Sequence, residues 1–261
     1  MKHVLSAMGM IGAAGIVSAS VINIDFSLND TNEAMLNGQQ VIGADFDQYF
    51  DLTTQGDHAG AAVFDSTASG PNAGGRDPDL LVNLGNILIL QENGRNKERT
   101  TTLANGRTGF VTPDDKWNNR SAGVFNFAFN ASVELLSLDL VDIDGGNSVT
   151  VILTDESGDE RVYSVPQNWT DEVNQPSSEN PNPQGYGTLD LTTLVDQASP
   201  DGNGVFATAT EDDGFDASSV VNLEVRLMGS GGIDNLRFVP TPGSAGLLAA
   251  AGLVTLRRRR M

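Results

Sequence analysis

The sequence contains no cysteine and only two histidines in 261 residues. The first absence excludes disulfides, thiolate nucleophiles and cysteine-based zinc sites. The second excludes a multi-histidine metal centre, because His3 lies in the extreme N-terminal segment and leaves His58 alone in the remainder. A Ser-His-Asp triad would have to use His58, and no Gly-x-Ser-x-Gly elbow accompanies it. Glu92, Glu98, Glu134 and Glu160 show no spacing familiar from glycosidases, which need a positioned pair of carboxyl groups. The expectation is a protein without catalytic activity.

Bases are also scarce. Lys and Arg total 15 against 34 Asp and Glu, for a net charge of −19. Lys2 and Arg257 to Arg260 lie in terminal segments that hold no acid. The central body therefore keeps 10 of the 15 bases against all 34 acids, a net of −24. Such a body repels nucleic acid and anionic lipid. It suits a medium in which cations screen or bind carboxylates.

Hydrophobic runs are confined to the two ends. Lys2 and His3 precede an apolar stretch from Val4 to Val17, and Val17-Ser18-Ala19 offers small residues for cleavage. Residues 1–19 thus read as a secretory signal peptide. At the other end, Val239-Pro240-Thr241-Pro242-Gly243 is followed by an apolar run from Ala245 to Leu256 and then by Arg257, Arg258, Arg259 and Arg260. That run is short against the roughly 20 residues a bilayer requires. The arginines behind it would hold the chain end on the cytoplasmic side.

The order of motif, short apolar segment and arginines resembles the PEP-CTERM sorting signal, over residues 239–261. Pro240-Thr241-Pro242 stands where the family has Pro-Glu-Pro. The resemblance implies export from a Gram-negative-type bacterium and transient membrane association through the C-terminal segment. It also implies processing by an exosortase-type transpeptidase and delivery to the cell surface or extracellular matrix.

Between the ends, residues 20–238, no long stretch repeats at helical spacing. Period-2 patterning recurs instead. Phe125, Phe127 and Phe129 fall on one face of Val124–Phe129. Leu136–Leu140 and Val221–Leu227 alternate. Asn86–Leu90 and Val149–Leu153 read as strands buried on both faces. Val21–Phe26, Ala61–Phe64, Arg161–Val165 and Gly232–Val239 complete the clearer candidates. Gly at 29 and Pro at 10 suit a turn-dense chain. Asp144-Gly145-Gly146-Asn147 and Glu156-Ser157-Gly158-Asp159 look like hairpin turns. The expected fold is all-β: one antiparallel β-sandwich of about ten strands, with a meander from Phe125 to Val165. Segments 66–79, 93–119 and 168–187 read as irregular.

Three acidic groupings are candidate metal ligands. Asp65, Asp77 and Asp79 belong to a Gly/Asp-rich stretch that runs into Gly85-Asn86-Ile87-Leu88-Ile89-Leu90-Gln91-Glu92. The whole resembles a pattern recurring in exported bacterial surface proteins. The three carboxylates could converge on Ca²⁺, which takes six to eight oxygens. Equally, Asp65 and Asp77 could cap turns. Gly231-Gly232-Ile233-Asp234-Asn235-Leu236-Arg237-Phe238 is similar to the last strand of galactose-binding-like jelly rolls, common among carbohydrate-binding modules. That resemblance implies a structural calcium at Asp234, with Asp45 and Asp47 supplying the early side. Asp139, Asp142 and Asp144 read as hairpin-end carboxylates, since the loop lacks the final glutamate of an EF-hand.

Sugar binding needs exposed rings. Trp117, Trp169 and Tyr186 lie in polar, loop-like stretches that could supply a platform. Trp117 and Trp169 could instead plug the open ends of the sandwich. The leading expectation is a displayed, non-catalytic, calcium-stabilised sandwich with an extracellular polysaccharide as its ligand. The alternatives are a structural matrix protein without a specific ligand and, behind it, a polysaccharide-active enzyme.

Overall fold

The computed structural model describes residues 20–75, 78–94, 96–116, 122–143, 146–170 and 185–241. The signal-peptide reading, Asp77, Trp117, Pro242 and Arg257 to Arg260 lie outside these residues.

Among the described residues, fifteen strands and one short 3-10 turn, Gly43–Asp45, make up the regular structure. The strands are β1 Ile22–Ile24, β2 Gln40–Val41, β3 Phe50–Gln55, β4 Ala61–Asp65, β5 Asn86–Leu90, β6 Thr100–Thr102, β7 Thr108–Phe110 and β8 Gly123–Val141. They continue with β9 Val149–Asp155, β10 Glu160–Val165, β11 Tyr186–Asp190, β12 Gln197–Ala198, β13 Phe206–Glu211, β14 Val220–Leu227 and β15 Gly232–Pro240. Every pairing is antiparallel.

β8, at 19 residues, organises the rest. Its first half pairs with β14 on one side and β3 on the other. Its second half pairs with β15 and β11. The partners change across 130–132, where the β14 register jumps from Ala128 opposite Asn222 to Val133 opposite Val220. One layer reads β12-β13-β10-β9-β14-β8 and ends at β3. The other reads β11-β8-β15-β5-β4-β2, and β1 joins the outer end of β15.

Both layers contribute to one core. Phe125 and Phe127 are fully buried and Phe129 nearly so, whereas Ala128 between them is exposed, as period-2 facing requires. Phe50 of β3 sets its ring edge against Phe127 at 5.1 Å and against Phe129 at 5.7 Å. Phe46 and Phe26 extend the aromatic stack. From the second layer, Leu88, Leu90, Leu138, Leu140, Ile233 and Phe238 face the same interior.

A second apolar cluster lies on the far face of that layer: Phe64, Leu80, Leu81, Val82, Ile87, Ile89 and Phe110. The 66–84 loop and the β6-β7 hairpin cover it. Ile87–Leu90 is therefore buried on both faces, which is why it reads as an unbroken hydrophobic run.

The expected meander is not formed. β9 and β10 make a hairpin through Glu156–Asp159, but β14 inserts between β8 and β9. The Asp144–Asn147 stretch consequently joins strands that are not neighbours. The segment 93–119 also holds more order than its polarity suggests, since β6 and β7 lie within it.

Candidate metal centre

β15 carries a bulge at the Gly-Gly-Ile-Asp-Asn stretch. Asp234 is opposite Asp139 of β8, and the next matched pair is Arg237 with Ser137. Asn235 and Leu236 thus face Leu138 alone, and Asn235 takes a left-handed φ of 48°. A bulge re-aims side chains. Here it keeps Ile233, Asp234, Leu236 and Phe238 all buried. Gly231 begins the turn into β15 at φ 127°, and a Cβ there would sit 2.7 Å from the Val141 carbonyl oxygen.

Two carboxylates result, facing each other across a strand pair, and like charges in that position repel. Asp139 is provided for: its Oδ1 accepts from Thr188 Oγ1 at 2.5 Å and its Oδ2 from Asn235 Nδ2 at 2.8 Å. Asp234 is fully buried. Its Oδ2 accepts from Asn235 Nδ2 at 3.2 Å, whereas its Oδ1 is enclosed without a hydrogen-bond partner. Asn23 of β1 donates to Asn235 Oδ1 at 3.1 Å, which links the first strand to the last. Burial, with the charges of Asp139 and Asp25 adding to it, pushes the Asp234 carboxyl up to about 8. A buried carboxylate without compensation is costly, so the site is suited to a cation or a proton. The carboxylate oxygens are the hard type Ca²⁺ prefers, and the Asn235 Nδ2 that now donates to both of them would have to turn away for an ion to enter. Among the described residues no three carboxyl or imidazole groups converge closely enough to cage a metal by themselves. A calcium ion would therefore also draw on backbone carbonyls and water.

The other expected ligands lie elsewhere. Asp45 is fully buried, but its partners are Arg107 (Nη2–Oδ1 2.5 Å) and the Ile42 N–H (2.9 Å). Asp47 is exposed. The acids whose charge bears on Asp234 are Asp139 and Asp25. Asp65 caps its own loop, its Oδ1 accepting from the Thr67 N–H at 3.0 Å and from Oγ1 at 2.6 Å.

Asp79 is half-buried with an enclosed, unpartnered Oδ1. Its charge acts on Asp115, a buried carboxyl that accepts from the Gly231 N–H. Burial, then the charges of Asp114, Asp79 and Glu92, pushes Asp115 up to about 8. Lys97 pairs with Asp114 beside this group. Among the described residues, then, Asp79 meets acids of the 92–115 segment.

The Asp65–Glu92 stretch is pinned by its polar residues. Asn86 Nδ2 donates to the carbonyls of Phe26 (3.2 Å) and Met35 (3.0 Å). Buried Gln91 donates to the carbonyls of Lys97 (3.1 Å) and Thr112 (3.2 Å), and its Oε1 accepts from the Asp114 N–H at 3.2 Å. This part of the pattern holds loops to the sheet.

Trp169 is 1% exposed and fills the space over Gly187, where a Cβ would come within 2.9 Å of the indole. It plugs the sandwich and offers no face to a ligand. Tyr186 is half-buried. His58 is half-buried too; its Nδ1 accepts from the Gly60 N–H at 2.9 Å, its Nε2 is enclosed without a partner, and burial holds its pKa down.

No family model, curated protein or solved structure matches the chain.

Proposed function

We propose that the chain is an exported, non-catalytic jelly-roll-type β-sandwich, displayed at the cell surface or in the extracellular matrix and stabilised by Ca²⁺ at the Asp139–Asp234 bulge. The observation that carries this reading is the enclosed Oδ1 of Asp234, opposite a second buried carboxylate. Asp139 and Asp234 would hold the ion, with Asp25 at the margin. Calcium would supply the charge compensation that neither carboxylate can give the other. The terminal hydrophobic segments and the strongly acidic body support export.

The structural role fits better than carbohydrate recognition, because Trp169 is committed to the core. His58 uses its Nδ1 to hold the Gly60 N–H at 2.9 Å, which favours a structural role for it. The test is a thermal melt in chelator and in millimolar Ca²⁺. A midpoint that rises with calcium in the parent and stays fixed in Asp234→Asn supports the proposal. A parent midpoint indifferent to calcium rejects it.

A further inference from the structure

Lys116 is buried, and its amine meets two side chains from different loops. Its Nζ donates to Asn93 Oδ1 at 2.5 Å and lies 3.6 Å from Asp57 Oδ2. Asn93 Nδ2 in turn donates to Asp57 Oδ1 at 2.5 Å. The three groups close a ring, in which one carboxylate touches the amine with one oxygen and the carboxamide nitrogen with the other. The fold brings them together. Asp57 lies in the turn between β3 and β4, and Asn93 follows β5. The Gln91–Asp115 bridge and the bond from the Glu92 N–H to the Asp114 carbonyl return the end of the 92–116 excursion to its start.

A lysine placed only to neutralise a carboxylate would sit closest to that carboxylate. Here the carboxamide is nearer than Asp57. A C=O bond adds about 1.2 Å to the 2.5 Å contact, so Asn93 Cγ lies within roughly 3.7 Å of Nζ. That is close to the separation of reacting atoms in a near-attack pair. An amine beside an amide carbon, with a carboxylate able to move protons between the two nitrogens, is the set of groups that amide exchange needs. The hydrogen bond from Asn93, and after it the charge of Lys116, hold the Asp57 carboxyl below its usual pKa, so it begins as the carboxylate.

We propose that Lys116 and Asn93 join in an isopeptide bond, formed by the folded chain itself, with Asp57 as the proton carrier. The ammonium of Lys116 passes a proton to Asp57, and the freed lone pair turns from Oδ1 to Cγ and attacks. The Nζ–Cγ bond forms and the Cγ–Nδ2 bond breaks. Nζ gives up two of its three protons through Asp57, Nδ2 leaves with them as ammonium, and Asp57 ends as the carboxylate it began. Nothing is oxidised or reduced, and no co-reactant enters. The event happens once in each chain, without turnover, and does not depend on calcium. The bond ties the base of the loop that carries the β6-β7 hairpin and Phe110 of the second apolar cluster. Covalent closure of a loop restricts the unfolded chain, a role no disulfide can take in a chain without cysteine.

The test is peptide mapping. The purified full chain, in detergent, is kept folded until its intact mass stops changing, then denatured and digested with trypsin. It is expected to be lighter by one ammonia and to yield a branched peptide, residues 77–95 joined to 108–120, because trypsin does not cut after an acylated Lys116. Full mass, with 77–95 and 108–116 recovered as separate peptides, overturns the proposal. Asn93-Gly94 can also lose ammonia by closing on its own backbone. A loss confined to peptide 77–95, and retained in Lys116→Arg, therefore overturns the proposal as well. Asp57→Ala, at an exposed position, is expected to form the branched peptide about a hundredfold more slowly. Formation at the parental rate overturns the part given to Asp57.

Discussion

Asp139 and Asp234 are matched residues on adjacent strands, and a single carboxamide, that of Asn235, donates to both. The donation satisfies Asp139 and leaves one oxygen of Asp234 bare. Calcium present at a hundred times its dissociation constant should add about 2.7 kcal/mol. For a domain of this size that is a rise in melting midpoint of roughly 5–11 °C. Above about pH 8, where Asp234 is ionised, Asp234→Asn should melt higher than the parent in chelator, because it removes the repulsion, and should gain nothing from calcium.

The Asp115 carboxyl, raised to about 8, sets a pH dependence. The unfolded group titrates near 4. Between roughly pH 4 and 8 the folded chain therefore holds a proton that the unfolded chain has lost, and stability falls as pH rises through this window. Melts in chelator across that range should show a decline that is shallower in Asp115→Asn.

Asp155 acts in the opposite sense. Its carboxylate accepts backbone N–H groups from Asp216 (2.9 Å), Ser157 (2.8 Å) and Asp159 (3.0 Å), which hold its pKa below the usual carboxylate value, the Asp216 bond most of all. Its contribution is complete above about pH 4 and is lost as pH falls through the lower folded value. Asp155→Ala should melt below the parent at pH 7, and the gap should close on acidification below pH 4.

Arg107→Ala would leave the fully buried Asp45 with only the Ile42 N–H. Breaking a buried pair from one side costs about 3 kcal/mol at the low end of the usual range, and the partly exposed guanidinium argues for that end. Urea unfolding should show the loss, and Arg107→Ala combined with Asp45→Asn should recover part of it.

Trp169→Ala should behave as a core truncation and cost about 3–5 kcal/mol. Near-ultraviolet circular dichroism and urea unfolding check this. A variant of parental stability that had lost affinity for a polysaccharide would restore the platform reading.

Much of the sandwich was legible in the sequence because its central strands obey simple rules. Phe125, Phe127 and Phe129 alternate as they do because one face of β8 lines the core, and Ile87–Leu90 is continuous because both faces are covered. The strands that escaped notice are edge or polar ones. β3 reads Phe-Asp-Leu-Thr-Thr-Gln and β13 reads Phe-Ala-Thr-Ala-Thr-Glu, with few large apolar residues to betray a face. Strand order was illegible for a different reason: β14 is inserted between β8 and β9 by pairings 65 to 104 residues distant in sequence, and no local pattern encodes them.

The candidate site was half legible. The resemblance to the last strand of galactose-binding-like jelly rolls singled out Asp234, and the imperfect alternation of Ile233-Asp234-Asn235-Leu236 is the mark of the bulge. Asp139 was grouped with Asp142 and Asp144 as a hairpin-end carboxylate and not with Asp234, because only strand register sets the two opposite each other, and Asp25, near the start of the body, was missed. Asp45 was expected from the same resemblance to supply the early side of the site, but it pairs instead with Arg107, 62 positions away.

β8 has a bearing on how the molecule comes apart. A sandwich whose layers are joined only by loops can shed one layer while the other persists. Here a single uninterrupted backbone is the spine of both, so unzipping either face strips partners from the same strand that supports its opposite. Denaturation should proceed as one event, with fluorescence and far-ultraviolet signals tracing a common curve.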